Sequence, residues 1–386
     1  MRDTLITRAR ELQPTLRERA TEASRLRRVP EATIADFQQA GFFAMLQPAS
    51  RGGHAVHPNT FFDVQEIIAE ACPSSAWVLG VVAVHAWQLA LFDPKAQEEV
   101  WGADATTLIS SSYAPTGSIT RVDGGFRVSG RWSFSSGCDH CAWVFLGGFA
   151  PVQAGPPDMR TYLLPRSDYT IIDNWDTIAL RGTGSKDIVV DDVFVPEHRT
   201  HRMSDGFKCD SPGNAINDAP LFRIPFGQIF VRSVSTTAIG IARGALASYL
   251  EITADKVGAG DGKKAALDPT AQEASARAAS TLDQIGLVRA RNFARMMDLA
   301  ERGERIPIQD RVAWRWDSSE TVSRCVALVD EMFTLAGGRA IFSDHPMARY
   351  FLDVHGARAH FANRPEASSR NFGGVQLGMK TKDFFI

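Results

Sequence analysis

Residues 130–148 read GRWSFSSGCDHCAWVFLGG, and the fold turns on how this stretch is taken. Cys138 and Cys141, with His140 between them, have the spacing of half a metal site or of a redox disulfide. The residues ahead of them, Trp132 and Phe134 running into Ser135, Ser136 and Gly137, have the pattern of a strand that ends by presenting hydroxyls. A structural metal site needs a second ligand pair, yet Cys72, Cys209 and Cys325 are isolated and no His-x3-His follows. A redox pair should open a helix, whereas AWVFLGGF after Cys141 is strand-like. The thiols are therefore expected to be small packing residues at a β turn, with no metal bound.

On both sides of this stretch, over 106–203, short β-branched and aromatic runs are split by glycine pairs. RVDGGFRV predicts a hairpin, and MRTYLLPR, DYTIIDNW and KDIVVDDVFVP predict further strands, together an antiparallel β domain. Before it, 1–105 shows helical spacing, for example Ile34, Phe37, Phe42 and Phe43. After it, 204–386 opens with a long polar segment, 204–220, expected to be a lid or binding loop. Helical spacing then returns over 226–257, 271–302, 314–337 and 345–363, with a Gly- and Lys-rich connection at 257–269 read as a mobile surface link. The fold class is α+β: an N-terminal helical domain, a central antiparallel β domain and a C-terminal four-helix bundle.

Composition excludes several functions. Forty-two basic and 44 acidic side chains leave a net charge of −2, too little positive field for a nucleic-acid surface. The run SSAWVLGVVAVHAWQLALF, 74–92, carries no formal charge, but it holds two serines, His85 and Gln88 and sits between the turn signals CPSS and DPK. It is expected to be a buried core helix and not a membrane span. The N-terminal stretch is charged and lacks an apolar h-region, and the five cysteines are odd in number; both point to a cytoplasmic protein with free thiols. There is no G-x-G-x-x-G after a strand, no G-x-x-x-x-G-K-[ST] and no G-x-S-x-G.

The helix–β–helix order, the stretch 130–148, LRGTGSKDIVVDDVFVPEHR at 180–199 and ARYFLDVHGARAHFANRPE at 348–366 together resemble the acyl-CoA dehydrogenase fold. Within it they resemble the oxygenase components of two-component flavin-dependent monooxygenases, the group of the p-hydroxyphenylacetate and 3-hydroxy-seco-steroid hydroxylases. The resemblance implies that reduced flavin (FADH2 or FMNH2) and O2 form a C4a-hydroperoxide that hydroxylates an aromatic, phenolic substrate. It also implies a separate NAD(P)H-flavin reductase and a homotetramer. An acyl-CoA dehydrogenase-type or oxygenating flavoenzyme acting on a CoA thioester is the alternative, against which stands the absence of a glutamate after the Arg349–Asp353 pair until Glu366.

Site residues follow from the same resemblance. Phe134, Ser135 and Ser136 match the segment that lies against the flavin, with Ser136 the contact to N5, since a hydroxyl both donates and accepts. Arg181, Thr183 and Ser185 suit a flavin phosphate or ribityl chain, and Gly337 and Gly338 match a glycine turn that reaches the cofactor across a subunit boundary. His360, or else His355, takes the place over the flavin, where an imidazole can hold or give a proton. His85 with Ser111 or Ser112 is expected to hold the phenolic oxygen, with Tyr113, Trp87 and Phe134 as aromatic walls.

Overall fold

A computed structural model describes residues 1–155, 157–257, 262–383 and 385–386. Helices α1 (Arg2–Leu26), α2 (Glu31–Gln39), α3 (Pro58–Ala71), α4 (Pro73–Leu89) and α5 (Pro94–Trp101) come first. Strands β1 (Ile109–Ser112), β2 (Ser118–Val122), β3 (Gly125–Ser135), β4 (Trp143–Ala150), β5 (Asp158–Pro165), β6 (Thr170–Ile172), β7 (Lys186–Pro196) and β8 (Thr200–Arg202) follow. The chain ends in α6 (Met203–Lys208), α7 (Phe226–Asp255), α8 (Pro269–Glu301), α9 (Ile308–Ala336), α10 (Pro346–Ala359) and α11 (Pro365–Gln376).

Local chemistry marks most helix starts. Proline occupies the first turn of α3, α4, α5, α8, α10 and α11, where its missing N–H is no loss. Asp93 and Asp268 accept from backbone amides of the turns they precede, and His57 and His345 do the same through a ring nitrogen. Helix α4 is buried on every side, as its composition predicts. Among the described residues no helix is long and apolar enough to cross a membrane.

The strands form two four-stranded sheets, ordered β1-β4-β5-β8 and β2-β3-β7-β6. Phe126, Trp132, Val144, Tyr162 and Ile188 fill the space between them. One pair departs from the expected antiparallel pattern: β1 runs parallel to β4, because the chain returns to β4 by way of the whole β2–β3 hairpin. The outer face of the first sheet, with Phe145 and Leu163, packs on α4 and the N-terminal helices in the largest core. A second core lies among α7, α8, α9 and α10.

Other boundaries shift. Helix α9 starts at Ile308 and not 314, α10 stops at Ala359, and α11 is a further helix. The segment 204–220 is short helical turns and not an open loop, fastened to the end of α4 by Asn217, which donates to the Ala90 carbonyl at 2.8 Å, and by the Gly213 amide on the Leu91 carbonyl at 3.0 Å. The connection expected at 257–269 lies partly outside the described residues.

Candidate active site

Strand β3 pairs with β7 through one irregularity between Val128 and Gly130, runs in register from Gly130↔Val190 to Trp132↔Ile188, and then Ser135 pairs with Lys186. Three steps on β3 thus match two on β7, which makes a bulge. At the bulge Phe134 is forced to φ 68°. The alternation breaks there, and the Phe134 ring is 70% exposed, with Trp175 standing edge-on to it at 6.1 Å. Ser135 and Ser136 turn inward and are buried. The two cysteines beyond are free. Cys141 Sγ donates to the Gly137 carbonyl at 3.3 Å, and burial pushes the Cys138 thiol up to about 12. Among the described residues no group of His, Cys, Asp and Glu is arranged to hold a metal.

The floor of the site comes from α4. Trp77 Nε1 donates to Ser136 Oγ at 3.2 Å, and the Trp77 ring meets that of His360 at 5.6 Å. Two turns further on, His85 is fully buried, 2.6 Å from the Ile109 carbonyl through Nδ1. A carbonyl only accepts, so Nδ1 carries the proton and Nε2 is left as a bare acceptor. Among the described residues that buried Nε2 has no partner of its own. Burial holds the ring's pKa down at about 4, so it is neutral through the physiological range.

Beside His85 stand Phe145 at 5.8 Å and Tyr113 at 6.1 Å. The pleat separates the three serines of β1. Ser111, paired with Phe145, faces this core with its hydroxyl beside the Tyr113 phenol. Ser112 faces the other way and donates to the Ser133 carbonyl at 2.6 Å, so of the two it is Ser111 that shares a face of the strand with Tyr113. Tyr113 donates to Gln88 Oε1, and burial raises its phenol's pKa. Trp87, expected as a wall, donates to the Leu221 carbonyl and stacks on Phe226 within the core.

The second half is delivered by the end of α10. His360 opens a single tight turn, Phe361–Asn363, and its Nδ1 accepts from the Ala362 amide at 3.2 Å. That assignment leaves the proton on Nε2, the reverse of His85. The buried Asn363 side chain donates to Ala357 and Val234 carbonyls and pins the turn to α7. Burial, then the nearby Arg315 cation, holds the His360 pKa at about 4. Phe230 on α7 lies 6.1 Å from His360 and 5.1 Å from Tyr113, which closes a string from His360 to His85.

His355 does not join this group. It is exposed on α10, with Nε2 2.9 Å from Asp330. The helix ends before His360, so the five-residue separation is not a helical one. Glu366 is exposed and paired with Arg358, away from the site. Arg181 donates to the Thr177 carbonyl and faces Asp176 at 3.4 Å. Thr183 and Ser185 point inward beneath Ser136. Gly337 and Gly338 sit in the turn after α9 and do not meet the group within one chain. Trp77 and Phe230 carry no motif in the sequence; a tryptophan on the histidine-bearing helix is the one signal it offers.

Comparison with known proteins places this geometry. Residues 233–365 match the model of the acyl-CoA dehydrogenase C-terminal domain. The oxygenase subunit HsaA of a flavin-dependent monooxygenase from Rhodococcus jostii is 39% identical, over 97% of this chain and 98% of that protein. The crystal structure of 3-HSA hydroxylase from Rhodococcus sp. RHA1 superposes with a TM-score of 0.95 at 39% identity, covering 99% of this chain and 98% of that one. The oxygenase component of an FADH(2)-dependent resorcinol hydroxylase from a Rhizobium species is 32% identical, over 95% of this chain and 92% of that protein. With that likeness running the length of the chain, and with the paired sheets, the bulge at Phe134 and the His360 turn in place, the chain belongs to the oxygenase components of two-component flavin-dependent monooxygenases built on the acyl-CoA dehydrogenase fold.

Proposed function

We propose that this oxygenase hydroxylates a phenol, with His85 taking the phenolic proton, Ser111 holding the phenolic oxygen and His360 offering an N–H to the flavin side. The observation that carries this reading is the bare, buried Nε2 of His85. An unpaired polar atom in an apolar pocket is costly unless a ligand completes it. A phenol O–H does so, whereas the thioester group itself carries no O–H or N–H to donate to it. The relatives named for resorcinol and 3-HSA support an aromatic substrate.

The residues present fit a flavin: the Phe134 face is uncovered, Ser136 supplies a hydroxyl beside it, and Trp77 links that hydroxyl to His360. The bound reduced flavin supplies the reaction with O2 and the oxygen atom transferred. The protein orients the phenol, removes its proton and keeps water out of an aromatic pocket. As an oxygenase component it works with a separate reductase; we take that reductase to use NAD(P)H. The exposed Ile341 and Phe342 beside Gly337 and Gly338 support a homotetramer in which this turn meets a neighbouring subunit.

The test is substrate chemistry. A phenol and its methyl ether are offered with reduced flavin and O2, and product is set against hydrogen peroxide released. The phenol is expected to yield product and the ether only peroxide; equal turnover of both would refute the proton-acceptor role. A second expectation concerns Phe134. Its left-handed backbone costs about 1–2 kcal/mol, so Phe134→Gly should raise the urea midpoint while weakening flavin binding, measured by fluorescence titration. A lower midpoint would show that the ring's packing outweighs the strain.

A further inference from the structure

Beneath the bulge runs a chain of hydroxyls whose proton order the fold dictates. Trp77 Nε1 reaches Ser136 Oγ at 3.2 Å, Ser136 reaches Ser185 Oγ at 2.7 Å, Ser185 reaches Thr183 Oγ1 at 2.7 Å, and Thr183 reaches the Leu180 carbonyl at 2.9 Å. An indole N–H can only donate and a carbonyl can only accept. Each hydroxyl between them has one proton. A single orientation makes all four hydrogen bonds: Trp77 gives to Ser136, Ser136 to Ser185, Ser185 to Thr183 and Thr183 to Leu180. The reverse order leaves the Thr183–Leu180 contact unmade. The carbonyl of Thr183 accepts the Gly137 amide at 2.9 Å, which locks the two segments together. All four side chains are buried.

The consequence falls on Ser136. Its proton is committed to Ser185 and one lone pair to Trp77, so what remains is a single acceptor position. We infer that the Trp77–Ser136–Ser185–Thr183 chain makes Ser136 a pure acceptor and thereby selects reduced over oxidised flavin. The inference rests on the reading that Ser136 faces flavin N5. In reduced flavin N5 bears a hydrogen and donates; in oxidised flavin it offers only a lone pair, which would face the lone pair of Ser136. Thr183 and Ser185 are then positioning residues, acting through Ser136 and not on the phosphate or ribityl chain. A component that must take reduced flavin from another protein and let oxidised flavin go has use for such a device.

The experiment measures dissociation constants of the full-length protein for FAD and for FMN. The oxidised forms are titrated by fluorescence quenching and the reduced forms anaerobically. In Ser185→Ala the Ser136 proton is freed and can turn to oxidised N5. Oxidised flavin is then expected to bind about tenfold tighter, the gain of one hydrogen bond of ordinary strength, with reduced flavin changed little. Thr183→Val should act in the same direction by releasing Ser185 to donate back to Ser136, and it serves if Ser185→Ala folds poorly. Equal weakening of both redox forms, or an unchanged ratio in both variants, overturns the inference. Ser136→Ala separates the two layers. If it weakens reduced flavin while the other variants leave the ratio alone, Ser136 faces the flavin but does not read its redox state. If it changes neither form, Ser136 is not at N5 and both readings fall.

Discussion

His85→Ala is expected to lower kcat/KM for phenol hydroxylation at pH 7 by about 10²–10³-fold, the range for loss of a positioned proton acceptor. Reduced flavin should still be consumed with O2, so the loss appears as peroxide released in place of product. The pH dependence distinguishes chemistry from packing. A free phenol ionises near pH ~10, so at high pH, or with a more acidic phenol, the substrate arrives without the proton His85 would remove. The defect should then shrink toward wild type. A defect of constant size from pH 7 to 10 would mean that His85 serves only to fill the core. The wild-type ring is already in its neutral, proton-accepting form at pH 7. With its pKa at about 4 the ring is neutral well below pH 6, so its own titration imposes no acid limb near neutrality.

A second large effect is on stability in acid. Burial lowers His85, His201 and His360 alike to about 4, against 6.5 for a free side chain. The unfolded chain therefore binds protons that the folded chain refuses. Each contributes stability that is whole above about pH 6.5 and is lost as pH falls toward 4, by up to about 3 kcal/mol apiece. Asp353 works in the opposite sense. Burial raises its pKa to about 6 while it accepts from the Leu180 amide at 2.6 Å, so its contribution grows as pH falls through 6 toward 4. The histidines outnumber it, and the net result is a fall in the urea midpoint between pH 6.5 and 4. His201, which shares a hydrogen bond with Ser211 at 2.9 Å outside the proposed site, gives the clean check. His201→Gln should flatten the slope by about one histidine's share. An unchanged slope would place the acid sensitivity elsewhere.

The same residues show what a sequence can and cannot convey. The alternation through Trp132 and the GG pair in RVDGGFRV signal a strand and a hairpin, since both depend only on near neighbours. The polarity inside 74–92 marks α4 as a core helix carrying something functional. Helix α11 escapes because Gly373 and Gly374 interrupt it and only Ser368 of its residues is buried, which leaves almost no apolar face to detect. The parallel pairing of β1 escapes because its direction is set by the return through β2 and β3 and not by the residues of the strand itself. Phe134 is misleading by periodicity alone: the alternation sends it inward, and the bulge sends it out. Ser111 and Ser112 separate only when the register with Phe145 and Leu146 is known. Trp77 and Ser136, 59 residues apart, form a contact that nothing local announces. His360 and His355 look equivalent until the helix is seen to end between them.

Helix α4 carries both Trp77, the neighbour of Ser136, and His85. Eight residues of helix separate them, about 12 Å along the axis. Under the proposed roles, the distance from the flavin to the phenolic oxygen is therefore a length of rigid rod and not the product of loops. Such a rod acts as a gauge for regiochemistry: with the phenol oxygen held at one end, only ring carbons at one depth come within reach of the other. Relatives that keep the gauge but reshape the walls around Tyr113 and Phe230 would accept different rings and still oxidise them at the corresponding carbon.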